Sequence, residues 1–120
     1  MSKWRIDYLI NENLDHLAEN MFNADTIMNI LNIDVRTVFD RLFYLVSQNM
    51  LSAYLVWVQD GAQVKSIAFS GGKFDLNDFG NGEQPPLDEL YVKFKVSKEY
   101  KETMDEWKKS RNKKINNIYY

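Results

Sequence analysis

The chain has 120 residues, and its 15 Lys and Arg against 17 Asp and Glu give a net charge of −2. Its composition, 45% hydrophobic and 27% charged, is typical of one globular domain that buries a core without a disulfide or a structural metal. Because it contains no Cys and one His, it excludes a disulfide framework, a thiolate nucleophile and a zinc site built on the histidines of one chain.

An amphipathic helix is predicted near the start of the chain. Its apolar stripe at helical spacing consists of Ile10, Leu14, Leu17, Ala18 and Met21. Three carboxylates at positions i, i+3 and i+7 are expected to share the opposite face of this helix, namely Glu12, Asp15 and Glu19. Upstream, Trp4, Ile6 and Tyr8 alternate with charged residues, a pattern that fits either a short strand or the first turns of the helix.

Two more helices are predicted on either side of a tight turn. The first is short and begins after Asn23, a residue type that is common at helix N-caps. The turn at 32–34 ends in Asp34, which is placed to cap the next helix. The apolar stripe of that third helix is the clearest in the chain and consists of Val35, Val38, Phe39, Leu42, Leu45 and Val46.

A β-hairpin is predicted next. Residues 53–59 and 64–69 are rich in β-branched and aromatic residues, and the Asp60-Gly61 pair between them is a strong signal for a two-residue turn. Residues 73–79 are predicted as a further short extended segment, and residues 80–86 as a loop. Apolar residues then alternate with polar ones over 90–96, which predicts a half-buried antiparallel strand.

The C-terminal part is predicted to be a helix followed by a basic tail. Ser97 can cap this helix, and Tyr100, Met104 and Trp107 fall on one of its faces. The five basic residues beyond it, with no acidic residue among them, are Lys108, Lys109, Arg111, Lys113 and Lys114. Without these five, ten basic and 17 acidic residues remain, a balance of −7. We therefore predict one domain over residues 1–107 and a tail over 108–120, which is either a flexible, solvated chain end or a segment that holds nucleic acid or an acidic partner.

The order of elements over residues 24–70 resembles that of the winged helix-turn-helix family. The residues that match its packing positions are Ile27, Ile30, Leu31, Ile33, Val35, Val38, Leu42 and Leu45. The string from Leu45 to Ser52 resembles the exit from the second helix of the motif, and residues 53–58 and 64–69 resemble the wing. The resemblance implies an α/β fold of the α+β type, with N-terminal helices, a small antiparallel sheet and a C-terminal helix. It implies a fold and not DNA binding as such.

A DNA-binding regulator is one of two functional hypotheses. The resemblance would then place the third helix in the major groove. The candidate contacts are Arg36, Thr37, Arg41, Tyr44 and Lys65, together with the five basic residues of the tail. Six aspartates against four basic residues over 21–82 argue against this hypothesis, because affinity for DNA depends largely on phosphate neutralisation. Arg36 and Asp40 fit equally well an ordinary i, i+4 surface pair.

The favoured hypothesis is a non-enzymatic protein-interaction module, such as an adaptor, an accessory subunit or an inhibitor of the immunity type. Glu12, Asp15 and Glu19 would face a basic partner, unless they are simply the solvent side of an amphipathic helix. Tyr54 and Trp57 point to opposite faces of their strand, and one of those faces is expected to be open to a partner.

The sequence predicts no enzyme, cofactor or metal site, because His16 has no triad partners and no paired carboxylates lie in an apolar setting. No apolar run approaches the roughly 18 residues of a membrane span, so we expect a cytoplasmic protein. A homodimer would use residues of the first and last helices, for which core packing is the competing explanation: Leu14, Leu17, Met21, Tyr100, Met104 and Trp107.

Overall fold

Four helices precede a small sheet, and a long helix follows it. The structure is a computed structural model that describes residues 2–80, 82 and 84–119; side chains are described for residues 3–80, 82 and 84–110. The helices are α1 (Ser2–Glu12), α2 (Leu14–Glu19), α3 (Ala24–Leu31), α4 (Val35–Ser47) and α5 (Lys98–Tyr119). The strands are β1 (Leu51–Gln59), β2 (Ala62–Ala68) and β3 (Leu90–Val96). The predicted α+β class, with helices first, then an antiparallel sheet and a C-terminal helix, is confirmed.

The N-terminal segment is helical from Ser2, which decides between the two structures that its alternating pattern allowed. The prediction of a single helix through residues 10–21 is wrong, because the helix is interrupted at Asn13. Asn13 has φ −126° and ψ 28°, and its side-chain amide donates to the carbonyl of Leu9 at 2.8 Å. This local hydrogen bond replaces one that a continuous helix would make. Glu12 therefore lies on α1, whereas Asp15 and Glu19 lie on α2.

The turn between α3 and α4 has the predicted cap. Asn32 ends α3 in the left-handed conformation, with φ 54°. The carboxylate of Asp34 accepts hydrogen bonds from the backbone N–H of Thr37 at 3.1 Å and from its hydroxyl at 2.7 Å. These two hydrogen bonds lower the pKa of Asp34 below its ordinary value.

Strand β1 is the centre of the sheet, in the order β2-β1-β3, and both of its neighbours are antiparallel. The predicted two-residue turn joins β1 to β2, with positive φ at Asp60 (51°) and Gly61 (78°). On the outer side of β3, Phe22 exchanges two backbone hydrogen bonds of 2.8 Å with Phe94. The chain between α2 and α3 therefore covers that edge of the sheet.

The segment predicted to be extended over 73–79 is instead largely a turn of 3-10 helix, Leu76–Phe79. The side chain of Asp75 accepts from the backbone N–H of Asn77 at 3.0 Å and begins this turn. Phe79 is buried, and its ring lies edge-on to that of Trp57. Residues 81 and 83 of the predicted loop lie outside the described part of the chain.

The main core lies between the helices and one face of the sheet. The sheet residues that it buries come in cross-strand pairs, Ala53 with Phe94 and Leu51 with Val96. From the helices it buries Ile6, Ile10, Leu14, Ala24, Ile27, Val38, Leu42 and Leu45. Helix α5 begins at the predicted cap, where the Ser97 hydroxyl accepts from the backbone N–H of Tyr100 at 3.2 Å. Among the described residues, no helix is both long enough and apolar enough to cross a membrane.

Candidate interaction surface

The central arginine of α4 is engaged within the fold. The guanidinium of Arg41 donates to both carboxylate oxygens of Asp7 on α1, from Nε at 3.0 Å and from Nη2 at 2.5 Å. It also lies over the ring of Tyr44, 4.7 Å from the ring centroid. The hydrogen bond to Asp7 raises the pKa of Arg41. A contact between Arg41 and guanine would therefore require this bidentate pair to break.

The structure brings together three of the predicted α4 residues. Thr37, Arg41 and Tyr44 line a depression of about 580 Å³ that also includes Asp40 and, from α1, Lys3. Lys3 lines the depression, and Asp7 forms the ion pair with Arg41 beside it. Both residues belong to α1, which therefore forms one wall of the depression.

Arg36 is exposed on α4 and does not line that depression. In the part of the chain that the structure describes, Arg36 and Asp40 form no ion pair within 4 Å, so the predicted i, i+4 surface pair is not formed. Of the two arginines on α4 that were predicted to contact DNA, Arg36 and Arg41, only Arg36 is exposed.

The remaining candidate cations are distributed over the hairpin and α5. Lys65 donates from Nζ to the carbonyl of Phe79 at 2.8 Å, which directs its side chain to the 3-10 turn. Lys108 and Lys109 are exposed on α5. The side chains of Arg111, Lys113 and Lys114 lie outside the described residues, although the backbone there continues α5.

The three predicted acidic contacts are exposed but lie on two helices. Asp15 forms an ion pair of 2.9 Å with Lys101 on α5. The hydrogen bond with Lys101 lowers the pKa of Asp15. Glu12 and Glu19 have no ion pair within 4 Å among the described residues, so their charges are available to a partner.

Tyr54 and Trp57 are both half-buried. The indole N–H of Trp57 donates to the carboxylate of Glu89 at 3.3 Å. Tyr54 lies directly opposite Lys93 and Ala68, on the sheet face turned away from the main core. Both side chains therefore remain partly accessible to another molecule, and that of Trp57 also has a hydrogen-bond partner within the fold.

Two strongly exposed aromatic residues of α1, Trp4 and Tyr8, were not among the predicted contacts, whereas Tyr44 on α4 was predicted only as a DNA contact. Trp4 and Tyr8 on α1 are 60% and 59% exposed, and Tyr44 on α4 is 50% exposed. The rings of Trp4 and Tyr8 meet edge to face, with 6.4 Å between their centroids. We call these three residues the aromatic surface. The i, i+4 spacing of Trp4 and Tyr8 is its sequence signal, but the alternation with Ile6 allowed a strand as well.

Core packing accounts for most of the residues proposed for a homodimer. Leu14 is buried, and Leu17, Tyr100 and Met104 pack against the main core. The hydroxyl of Tyr100 also donates to the side chain of Asn11 on α1 at 2.6 Å. Burial raises the pKa of Tyr100. Trp107 remains 52% exposed on α5.

No arrangement for metal binding is present in the described residues, where no three His, Asp or Glu side chains come together. His16 is exposed, and its Nδ1 lies 3.3 Å from the side-chain amide of Asn20. His16 and Asn20 are four residues apart, which is the spacing of neighbours on one side of a helical turn.

Comparison of the chain with models of protein families, with curated proteins and with solved structures found no match. Its function is therefore argued from its own residues.

Proposed function

We propose that the chain is a non-enzymatic protein-interaction module of the cytoplasm, acting as an adaptor, accessory subunit or inhibitor. The observation that supports this most is the aromatic surface, Trp4, Tyr8 and Tyr44, each half or more exposed. Trp and Tyr are enriched among the residues that dominate binding energy at protein interfaces. Exposed aromatic side chains that lie together, as Trp4 and Tyr8 do, are typical of such sites.

The two helices that carry the aromatic surface are joined to each other and to the core. The Asp7–Arg41 pair joins α1 to α4 beside Tyr44, and the guanidinium of Arg41 lies on the Tyr44 ring. Trp4 and Tyr8 lie on a helix whose Ile6 and Ile10 are buried. A partner would therefore meet helices that are already folded and docked, which lowers the entropic cost of binding.

The charge beside the aromatic surface indicates what kind of partner would fit. Trp4, Tyr8 and Glu12 occupy positions i, i+4 and i+8 of α1, and therefore lie along one face of the helix. Glu12 is exposed and has no ion pair among the described residues. A partner with apolar side chains flanked by Lys or Arg would match both features.

The proposal is tested by capturing partners from the native host with purified protein. Trp4→Ala combined with Tyr8→Ala should reduce capture of the partner by at least roughly tenfold, since each is expected to be an anchor. Tyr91→Ala is the matched control, because Tyr91 is also 50% exposed but lies on β3. Circular dichroism checks that all variants fold.

Two results would contradict the proposal. One is a partner that the double α1 variant captures as well as the wild type does. The other is a partner that is lost only with Tyr91→Ala. Glu12→Lys should weaken capture in the same assay while leaving the fold intact, because it places a cation opposite a basic partner.

A DNA-binding regulator with a winged helix-turn-helix-like unit over residues 24–70 is the second candidate. Its support is the succession α3, turn, α4 and β1–β2 hairpin, with Arg36, Lys108 and Lys109 exposed. Titration of labelled random-sequence duplex DNA at two low salt concentrations distinguishes the two functions. We expect no binding at about 100 μM protein. Binding with a steep salt dependence, weakened by Arg36→Ala by about 1–3 kcal/mol on a selected site, would favour the regulator.

A further inference from the structure

A second surface, away from the aromatic surface, is a groove of about 450 Å³ between the first three helices and β3. Its walls are mainly apolar and are formed by Leu9, Leu17, Met21, Phe22, Ile27 and Ile30. Small-molecule sites commonly have this size and this kind of lining. Ile30 is 60% exposed, so the fold leaves a large apolar side chain uncovered there.

One lysine is among the residues that line this groove. Lys93 of β3 lines the groove and is half-buried. Across the described part of the chain it forms no ion pair within 4 Å, whereas Lys98 and Lys101 on α5 both have carboxylate partners. A lysine beside an apolar groove, with no anionic partner among the described residues, gains free energy when an anion binds next to it.

The groove also differs in charge from the rest of the fold. Residues 1–107 have a balance of −7, yet none of the described residues that line the groove is Asp or Glu. Asp15, which neighbours the lining residue His16, is paired with Lys101 on α5. The other polar lining residues are uncharged amides and a hydroxyl: Asn13, Asn23 and Thr26.

We propose that this groove binds a small amphiphilic carboxylate. The alkyl chain would lie on the apolar walls, and the carboxylate would accept hydrogen bonds from Nζ of Lys93. A neutral apolar ligand leaves the ammonium unpaired, and a cationic amphiphile is repelled by it. This site is independent of the proposed function, because the aromatic surface contributes no residue to it.

The test uses three probes with the same chain length and different head groups: octanoate, octan-1-ol and octylammonium. Octanoate and octylammonium are titrated into the full chain below their micelle concentrations and octan-1-ol below its solubility limit. Binding is followed by the NMR signals of the Met21, Ile27 and Ile30 methyl groups. Octanoate should shift these methyl signals saturably and bind about tenfold more tightly than octan-1-ol, the difference expected for a charge-assisted hydrogen bond. Octylammonium should bind more weakly than octan-1-ol.

Two lysine variants give a matched comparison. Lys93→Met keeps an unbranched apolar stem but removes the charge, so octanoate binding should weaken about tenfold while octan-1-ol binding stays the same. Lys95→Met should change neither, since Lys95 is two residues further along β3, is also half-buried and lines a different depression. Ile30→Glu, at an exposed position, should abolish octanoate binding without unfolding the chain.

The proposal is overturned if octanoate does not shift the groove methyl signals, or if octan-1-ol binds the wild type as tightly as octanoate does. It is equally overturned if Lys93→Met binds octanoate like the wild type. The Trp4→Ala, Tyr8→Ala variant should bind octanoate normally, so this test fails or succeeds separately from the capture experiment.

Discussion

The Asp7–Arg41 pair shows how single residues set what the helical surface can do. Arg41 has a side-chain exposure of 20% and Asp7 one of 31%, so the pair is partly shielded from water. Two parallel hydrogen bonds fix its geometry. In this fold Arg41 acts first as a link between α1 and α4, and only Arg36 remains on α4 as an exposed arginine.

Removing the charge of Asp7 should therefore destabilise the fold. Asp7→Asn loses the bidentate ion pair, and we expect the free energy of unfolding to fall by about 1–2 kcal/mol, as for partly buried charged hydrogen bonds. Urea unfolding measures it. Asp40→Asn is the control and should change stability by less than about 0.5 kcal/mol. Equal effects of the two variants would show that the pair adds nothing to stability.

The cap at Asp34 should make stability depend on pH. Its pKa is lowered from the ordinary 3.8 by the hydrogen bonds from Thr37. A lowered folded pKa means that this contribution is complete above the unfolded value and is lost as the pH falls through the folded value.

We therefore expect Asp34→Ala to be less stable than the wild type at pH 7, and the difference to shrink on acidification below about pH 3.8. Urea midpoints over a pH series measure the difference. Asp34→Asn keeps an oxygen that can accept the cap hydrogen bonds but does not titrate. It should therefore lose only the pH-dependent part of the stabilisation that Asp34 gives. A gap between wild type and Asp34→Ala that stays constant with pH would rule out this role.

Among the elements, the β1–β2 hairpin is the one whose local geometry is most strongly specified. Positive φ at both turn positions matches the right-handed twist of the strands and requires residues that tolerate the left-handed region. A Cβ on Gly61 would meet no atom within 4 Å, so any cost of adding one comes from the backbone alone.

Gly61→Ala should accordingly destabilise the protein by about 1 kcal/mol, because φ 78° is unfavourable for a residue with a Cβ. Asp60→Asn should be neutral or slightly stabilising, since Asn-Gly is also a preferred pair in this turn. Thermal unfolding of both variants tests this. An alanine variant as stable as the wild type would mean that the turn relaxes to another type.

For the whole molecule, Phe94 is the point where the layers meet. It is fully buried in β3, pairs with Phe22 through the backbone, and its ring lies 6.1 Å and 5.2 Å from those of Phe39 and Phe43 on α4. The packing of the sheet, of the chain between α2 and α3 and of α4 therefore depends on the volume of the Phe94 side chain.

Phe94→Ala should cost about 3–5 kcal/mol through lost burial and the cavity that it leaves. Trp4→Ala, at a side chain 60% exposed, should change stability by less than about 1 kcal/mol. Chemical unfolding compares them. If Phe94→Ala does not fold, Phe94→Leu should still fold with a smaller loss, and a loss below that of Trp4→Ala would contradict this account of the core.

A chain ending at residue 107 should fold with the stability of the full chain. Among the residues whose side chains are described, Tyr100, Lys101 and Met104 join α5 to the rest of the fold, and all three precede the basic run. Circular dichroism and urea unfolding of the two chains test this. A clear loss of stability would show that residues 108–120 belong to the folded domain.

Much of the fold followed from local patterns. The caps at Asp34 and Ser97, the Asp60-Gly61 turn and the alternation of β3 depend on neighbours within a few residues, and the structure has all of them. The same reasoning failed at Asn13 and over 73–79, where side-chain hydrogen bonds to nearby backbone groups compete with regular structure.

The sequence by itself determined the α+β class and much of the main core, because helical and strand periodicity are properties of the local chain. It did not separate the core from the surface everywhere, since Ile30 and Val35 lie on predicted apolar stripes and are exposed. Only the tertiary structure decided that Arg41 is paired with a residue 34 positions away, that Trp4 and Tyr8 are exposed, and that Lys93 lines a groove together with apolar residues of α1, α2 and α3. The physical reason is that availability of a charge or an aromatic ring for binding depends on what packs beside it, and those neighbours come from distant parts of the chain.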